Sequence, residues 1–305
     1  MPKIIYKGVK FKQATMKIIA QAVAIIERYE EMGLDLTVRQ LFYQFVSRGL
    51  LDNEDENYNR LGRIISKARM AGLIDWDTIV DRGRIIEKFS TWDDSEDIID
   101  TCSRSFKVDA WANQTFYVEV WVEKDAMRGV LGVACDPWRV PYFCCRGYSS
   151  QSAMWRAAQR LRHQERELAK QVVVFYLGDH DASGIDMTRD IRERLWNFGA
   201  GGTEVNRLAL NMDQIEKHDP PPNPAKMTDP RSVSYVDRFG HESWELDALD
   251  PDVLVGLIQA AIEKLVDKKA WDKSIKREKR FISQLVKTKK RWGDVLALIK
   301  TKQKK

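Results

Sequence analysis

Apolar positions recur at the helical period early in the chain and at the strand period later. Ile18, Ile19, Ala22, Ile25, Ile26 and Tyr29 share one stripe, so 13–32 reads as a helix stopped by Gly33. Thr37 opens a second helix, with Gln40 three residues on in capping-box spacing. Val38, Leu41, Phe42, Phe45 and Val46 form its apolar stripe, and Gly49 ends it. A third helix covers about 57–71, with Leu61, Ile64, Ile65 and Ala68 facing inward and Arg60, Arg63 and Lys67 aligned on the other side. After Gly72 come two short apolar stretches, 73–74 and 78–80, and then Arg82-Gly83-Arg84. Residues 90–114 are acidic and weakly patterned, and read as a linker.

From Phe116 the pattern changes. Residues 116–122 read as a strand, about 125–133 as a helix, 140–145 as a second strand and 150–169 as a long charged helix. Residues 171–177 form a continuous apolar run, as a strand buried on both faces should. A helix over 185–198 and a strand over 204–210 follow. Asp219 to Pro224 is a proline-stiffened connector, and helices resume at about 251–267 and 272–300. Alternating strands and helices predict an α/β fold with a mainly parallel sheet. The three leading helices and short ribbon have winged-helix order, in which the third helix commonly enters a DNA groove; a short helical bundle gives the same pattern.

Composition sharpens this only in places. The 305 residues suit two domains, and 44 % hydrophobic with 31 % charged is ordinary for a globular protein. The net charge of +5 hides an asymmetry: from Lys264 to Lys305 there are 16 Lys and Arg against 4 Asp and Glu. A basic C-terminal arm suits a polyanion, or is simply a solvated helix with a Lys-rich end. The cysteines, Cys102, Cys135, Cys144 and Cys145, form no C-x-x-C pair, and the four histidines have no ligand spacing. A reducing cytoplasm follows, without a structural metal knot. No apolar run is long enough to span a membrane, and 1–12 lacks the apolar region of a signal peptide.

Candidate chemistry sits at strand ends. Glu123 follows the first strand, and Asp179 and Asp181 follow the third in Gly178-Asp-His-Asp-Ala-Ser-Gly184. The carboxyl ends of strands form the ligand crevice of open parallel sheets. Three carboxylates converging there would repel one another and call for a cation, and hard oxygen donors favour Mg²⁺. Alternatively, Asp179 or Asp181 caps the helix that begins near Gly184. Tyr43 lies off the apolar stripe of its helix, flanked by Arg39 one turn earlier. An arginine favours a phenolate and binds phosphate, so Tyr43 reads either as a nucleophile or as a half-buried packing residue.

Val122-Glu123-Lys124-Asp125-Ala126, Arg146-Gly147-Tyr148 and Gly178 to Ile185 together resemble the Toprim domain, and more narrowly the topoisomerase VI A subunit and the meiotic double-strand-break transesterases. Thr37 to Tyr43 is similar to that family's Arg-x-x-Tyr-Tyr-type motif, with Phe42 at the first tyrosine position, over a match of about 35–250. Two departures stand out: Gly147-Tyr-Ser-Ser150 replaces the family's Gly-Tyr-Pro-Asp turn, and Asp-His-Asp-Ala its Asp-x-Asp-Pro. The length is similar to compact standalone mini-A forms.

The resemblance implies a winged-helix domain over 1–90 carrying the nucleophile, a linker over 91–114, a Toprim domain over 115–250 and a basic helical extension over 251–305. It implies that Tyr43, aided by Arg39, attacks a DNA phosphorus and leaves a 5′-phosphotyrosyl link. Glu123, Asp179 and Asp181 would hold Mg²⁺ (or Mn²⁺), and Glu123 would also move a proton. Arg60, Arg63, Lys67, Arg82, Arg84, Lys124 and Arg146 are the expected DNA contacts. Family members are homodimers in which the tyrosine of one copy meets the metal site of the other, and topoisomerase VI adds a separate ATPase B subunit. This chain has no phosphate-binding glycine loop of its own for ATP. A Toprim-type hydrolytic nuclease and a non-catalytic DNA-binding protein are the competing expectations. Trp244 to Leu249 resembles a late family stretch, expected to pack against the sheet.

Overall fold

A computed structural model describes residues 3–34, 36–79 and 89–302, with the side chains of 299–302 excluded. The helices are α1 (Gln13–Glu31), α2 (Val38–Ser47), α3 (Asp55–Met70), α4 (Ser95–Ser105), α5 (Arg128–Cys135), α6 (Gln151–Arg166), α7 (Ala182–Asn197), α8 (Met212–His218), α9 (Ser232–Phe239), α10 (Pro251–Glu263), α11 (Lys268–Lys290) and α12 (Trp292–Lys302). The strands are β1 (Phe116–Val122), β2 (Tyr142–Cys144), β3 (Gln171–Leu177), β4 (Glu204–Ala209), β5 (Asn223–Pro224) and β6 (Glu242–Ser243). None of the described helices is long and apolar enough to cross a membrane.

The chain divides into two compact units, Met1–Arg84 with Val118–Lys264 and Ile85–Tyr117 with Leu265–Lys305. In the first unit, β2-β1-β3-β4 form a four-stranded parallel sheet. Its centre is apolar because β1 and β3 are apolar: Val118, Val120, Trp121 and Val122 are buried, as is every β3 residue from Val172 to Leu177. Such side chains each contribute roughly 1.5–3 kcal/mol on burial. Helix α5 packs on α10, and α6 on α7. From β1 the chain steps outward to β2 on one side and to β3 and then β4 on the other. The order therefore reverses between β1 and β3, where α/β sheets open a crevice.

Helices α1, α2 and α3 pack on one another. The capping box at the start of α2 forms as its spacing predicts: Thr37 Oγ1 accepts from Gln40 N at 3.2 Å, and Gln40 Oε1 accepts from Thr37 N at 2.9 Å. The expected β-ribbon is not seen among the described residues. Leu73 and Ile74 belong to no strand, and Ile79 makes only an isolated parallel bridge to Leu36. Val80, Arg82 and Arg84 lie outside the described residues.

The second unit corrects the linker reading of 91–114. That segment carries α4, which packs on α11. The acidic residues that suggested a linker are helix-start residues. Asp94 accepts from Glu96 N at 2.8 Å and Asp97 N at 2.9 Å, and Glu96 and Asp97 fill the first turn, where the helix dipole favours negative charge. Gln114 and Asp267 exchange two hydrogen bonds, at 2.7 and 3.0 Å. Buried Glu278 accepts from Val108 N at 2.8 Å. Phe106 meets Phe281 and Trp111 meets Trp271 edge to face. The basic extension also divides: α10 belongs to the sheet-bearing unit, α11 and α12 to this one.

Candidate metal and tyrosine site

The loop after β3 is built tightly. A Cβ on Gly184 would lie 2.2 Å from the Asp179 carbonyl oxygen, and one on Gly178 would lie 2.5 Å from the Tyr176 hydroxyl and 3.0 Å from Glu123 Oε2. Arg207, on β4, is buried beneath the loop and donates to the carbonyls of Asp179 at 2.6 Å, Gly178 at 3.0 Å and Gly184 at 2.7 Å. Its charge, after that of Lys124, favours the ionised form of Glu123. Nothing in the half-polar sequence of β4 singled the arginine out.

Glu123, Asp179 and Asp181 line one cavity, but among the described residues the carboxylates that converge to ligand distance are those of Asp179, Glu245 and Asp247. Glu123 Oε2 accepts from Asp179 N at 3.1 Å. Asp181 caps α7, its Oδ1 accepting from Gly184 N at 2.7 Å, which is the helix-cap reading of that residue. Glu123, Asp179, Asp181, Lys226, Asp229 and Tyr235 border a cavity of about 310 Å³. Burial, together with the charge of Asp181, pushes the Glu123 carboxyl up, although the Asp179 N–H opposes it. Burial pushes Asp179 up to about 7, with Lys124 opposing and Glu123 and Asp247 adding repulsion.

Sequence reasoning did not find Glu245 and Asp247. An antiparallel bridge pairs Trp244 with His180, with hydrogen bonds of 2.8 and 2.9 Å, and lays 245–247 beside the end of β3. Leu246 N then donates to Asp179 Oδ1 at 2.8 Å. The late stretch from Trp244 thus packs at the sheet, as expected, but also brings two acids. Carboxylate oxygens of Asp179, Glu245 and Asp247 lie within 4.8 Å of one another, close enough to hold a metal ion. The positive charge among them is Lys124, whose Nζ lies 3.0 Å from Asp179, 2.5 Å from Glu245 and 2.9 Å from Asp247. Lys124 was expected to contact DNA phosphate. Its ammonium is committed to internal carboxylates instead, and they raise its pKa despite burial.

Tyr43 is 6 % exposed. Arg39 donates to its hydroxyl at 3.2 Å and reaches Glu245 Oε2 at 3.5 Å. Burial and the charges of Glu245 and Asp247 push the phenol up to about 12, with Arg39 opposing. Gln40 fixes the helix by donating to the Ala126 carbonyl at 3.2 Å. Tyr43, Arg39, Glu245, Asp181 and Lys226 border a second cavity, of about 320 Å³. Asp181 and Lys226 line both cavities, so the phenol and the acids of one chain border adjoining spaces.

The remaining predicted residues lie elsewhere. Arg60, Arg63 and Lys67 are exposed along α3 and line neither cavity. Arg146 is exposed in a left-handed backbone conformation and pairs with Asp125 at 3.2 Å. Tyr148, from the same motif, donates to Asp186 in α7 at 2.8 Å. No protein-family model matches this chain, and no curated protein matches it either.

Proposed function

We propose that this chain is a Mg²⁺-dependent DNA-cleaving enzyme that works by tyrosine transesterification, as a topoisomerase VI A subunit does, on winged-helix and Toprim-like parts. The observation that carries the reading is the adjoining pair of cavities: Tyr43 and Arg39 border one, Glu123 and Asp179 border the other, and Asp181 is common to both.

The carboxylates of the acidic cavity, Glu123, Asp179 and Asp181, suit a hard divalent ion. Bound there, such an ion supplies charge neutralisation for a phosphate under attack. The chain's own groups do the rest. The Tyr43 oxygen attacks phosphorus, the bond to the 3′ oxygen breaks, and a 5′-phosphotyrosyl link remains. The phenol proton passes to the carboxylate of Glu245, which borders the same cavity, and the leaving 3′ oxygen takes a proton from Glu123. Arg39 holds the phenol oxygen and offers charge to the incoming phosphate. Arg60, Arg63 and Lys67 provide backbone contacts on α3, which position DNA without reading sequence. Two copies, each carrying its own site, would cut the two strands; a B-type ATPase partner would be needed for ATP-driven strand passage.

The test is supercoiled DNA with Mg²⁺, stopped with detergent and probed for protein on 5′ ends. The expected result is a covalent adduct that disappears in Tyr43→Phe. A mixture of Tyr43→Phe and Glu123→Gln chains should stay inactive, because phenol and acids meet within one chain. Restored adduct in the mixture would move the meeting point to the interface between copies. One observation favours a second reading, Toprim-type hydrolysis. The phenol is nearly enclosed and its pKa is raised, whereas the acidic cavity needs no phenol to hold an ion. Free 5′-phosphates that survive Tyr43→Phe would establish that reading.

A further inference from the structure

Asp179 belongs to two donor sets. With Glu123 and Asp181 it borders the open acidic cavity. With Glu245 and Asp247 it surrounds the Lys124 ammonium. One carboxylate shared by adjoining cations is the building plan of two-metal sites, whose ions lie about 3.5–4 Å apart. The second set differs from an ordinary acidic cluster in two ways. Its oxygens already converge on a cation. In addition, Asp247 Oδ2 is buried with no hydrogen-bond partner among the described residues, on a side chain only 1 % exposed. The ammonium donates to Glu245 and to Asp247 Oδ1 and pairs with Asp179 at 3.0 Å, and Asp247 Oδ2 is left unserved. A divalent ion could take both oxygens of Asp247.

Resting on the metal reading above for the first position only, we infer that the Lys124 ammonium is the resident cation of a second, adjoining position, so that the native chain takes one divalent ion where its carboxylates could hold two. The ammonium balances charge and fixes Asp179 and Glu245 in place. Enclosed by three carboxylates, it is held by internal acids and not by a phosphate. Lys124 is therefore a positioning residue. It holds Glu245 against Tyr43 on one side and Asp179 against the open cavity on the other.

The test counts Mn²⁺ bound to the full chain, stripped of metal beforehand, by the electron paramagnetic resonance signal of the free ion. Lys124→Met keeps most of the stem and removes the charge; it should bind one more Mn²⁺ than the native chain. Adding Asp247→Asn to that variant should return the count to the native value. Equal counts in native protein and folded Lys124→Met would overturn the inference. An arm that does not depend on Lys124→Met folding is Asp247→Asn in the native chain. The count should not change, because an ammonium already fills that position. A count lowered by one would overturn the inference, since a metal ion would then occupy it. The first position is read separately: Asp181→Asn should lower the native count by one. No Mn²⁺ on the native chain with one on Lys124→Met would sustain the inference and end the metal reading at Glu123.

Discussion

On one side of Asp179, two further acids close around an ammonium; on the other, Glu123 and Asp181 face an open cavity of about 310 Å³. Both groupings concentrate negative charge, but only the first closes directly on an ammonium; on the open side Lys226 lines the cavity and Arg207 acts on Glu123 at longer range. The proposed reading assigns stability and positioning to the closed side, and ligand binding to the open side. Charge left uncompensated beside a cavity is where an external cation has most to gain. Burial alone would have marked both clusters equally.

The sharpest way to break this contrast is to strike the open side and the phenol. Tyr43→Phe should lower covalent adduct formation by about 10³-fold or more, and Glu123→Gln by about 10²-fold or more, without loss of folded protein. A Glu123→Gln chain that cleaves normally would remove the distinction between the two sides. Next in size is the closed side. Lys124→Met leaves three carboxylates without their counter-ion and should cost about 3–5 kcal/mol in urea unfolding without divalent ions, partly recovered by added Mn²⁺. A loss below 1 kcal/mol (~1 on the scale of exposed pairs) would show that the ammonium is not structural.

A pH series sharpens the comparison further. His180 is 1 % exposed, and burial, followed by Arg207, lowers its pKa to about 4. A depressed histidine contributes stability above its unfolded value of about 6.5, and that stability is lost as pH falls toward about 4, by up to about 3 kcal/mol. Asp179 acts in the opposite sense. Its raised pKa of about 7 gives a contribution present below the usual carboxylate range and lost as pH rises through 7. Urea titrations at several pH values should therefore show a steeper acid loss in Asp179→Asn and a shallower one in His180→Gln. The smallest expected effect is at the surface. Arg28 reaches Asp250 at 2.8 Å with both side chains partly exposed, and Arg28→Ala should change stability by less than about 1 kcal/mol.

Much of the sheet-bearing unit was legible because each element is locally consistent. The apolar runs of β1 and β3, the stripe of α1 and the Thr37–Gln40 box each carry their own signal. Glu123, Asp179 and Asp181 were legible for the same reason, since each follows a recognisable strand directly. Glu245 and Asp247 were not, because they reach the site through a bridge from Trp244 to a residue 64 positions earlier, His180. Pairing over such a separation leaves no period in the sequence. Lys124 was misread for a related reason: its motif lies at the site, but its partners arrive from that distant segment. Helix α4 was missed because acidic capping residues resemble a linker until the partner helix α11 is known.

The turn bearing Asp179 and Asp181 leaves no space for a methyl group at Gly184. Adding one carbon there would push against main-chain atoms, which cannot rotate aside as a long side chain can. In a pool of variants randomised at this codon and sorted for retained fold, glycine should be recovered almost exclusively, whatever reaction the molecule carries out. The architecture thus limits how its descendants can vary at a point fixed by main-chain packing alone.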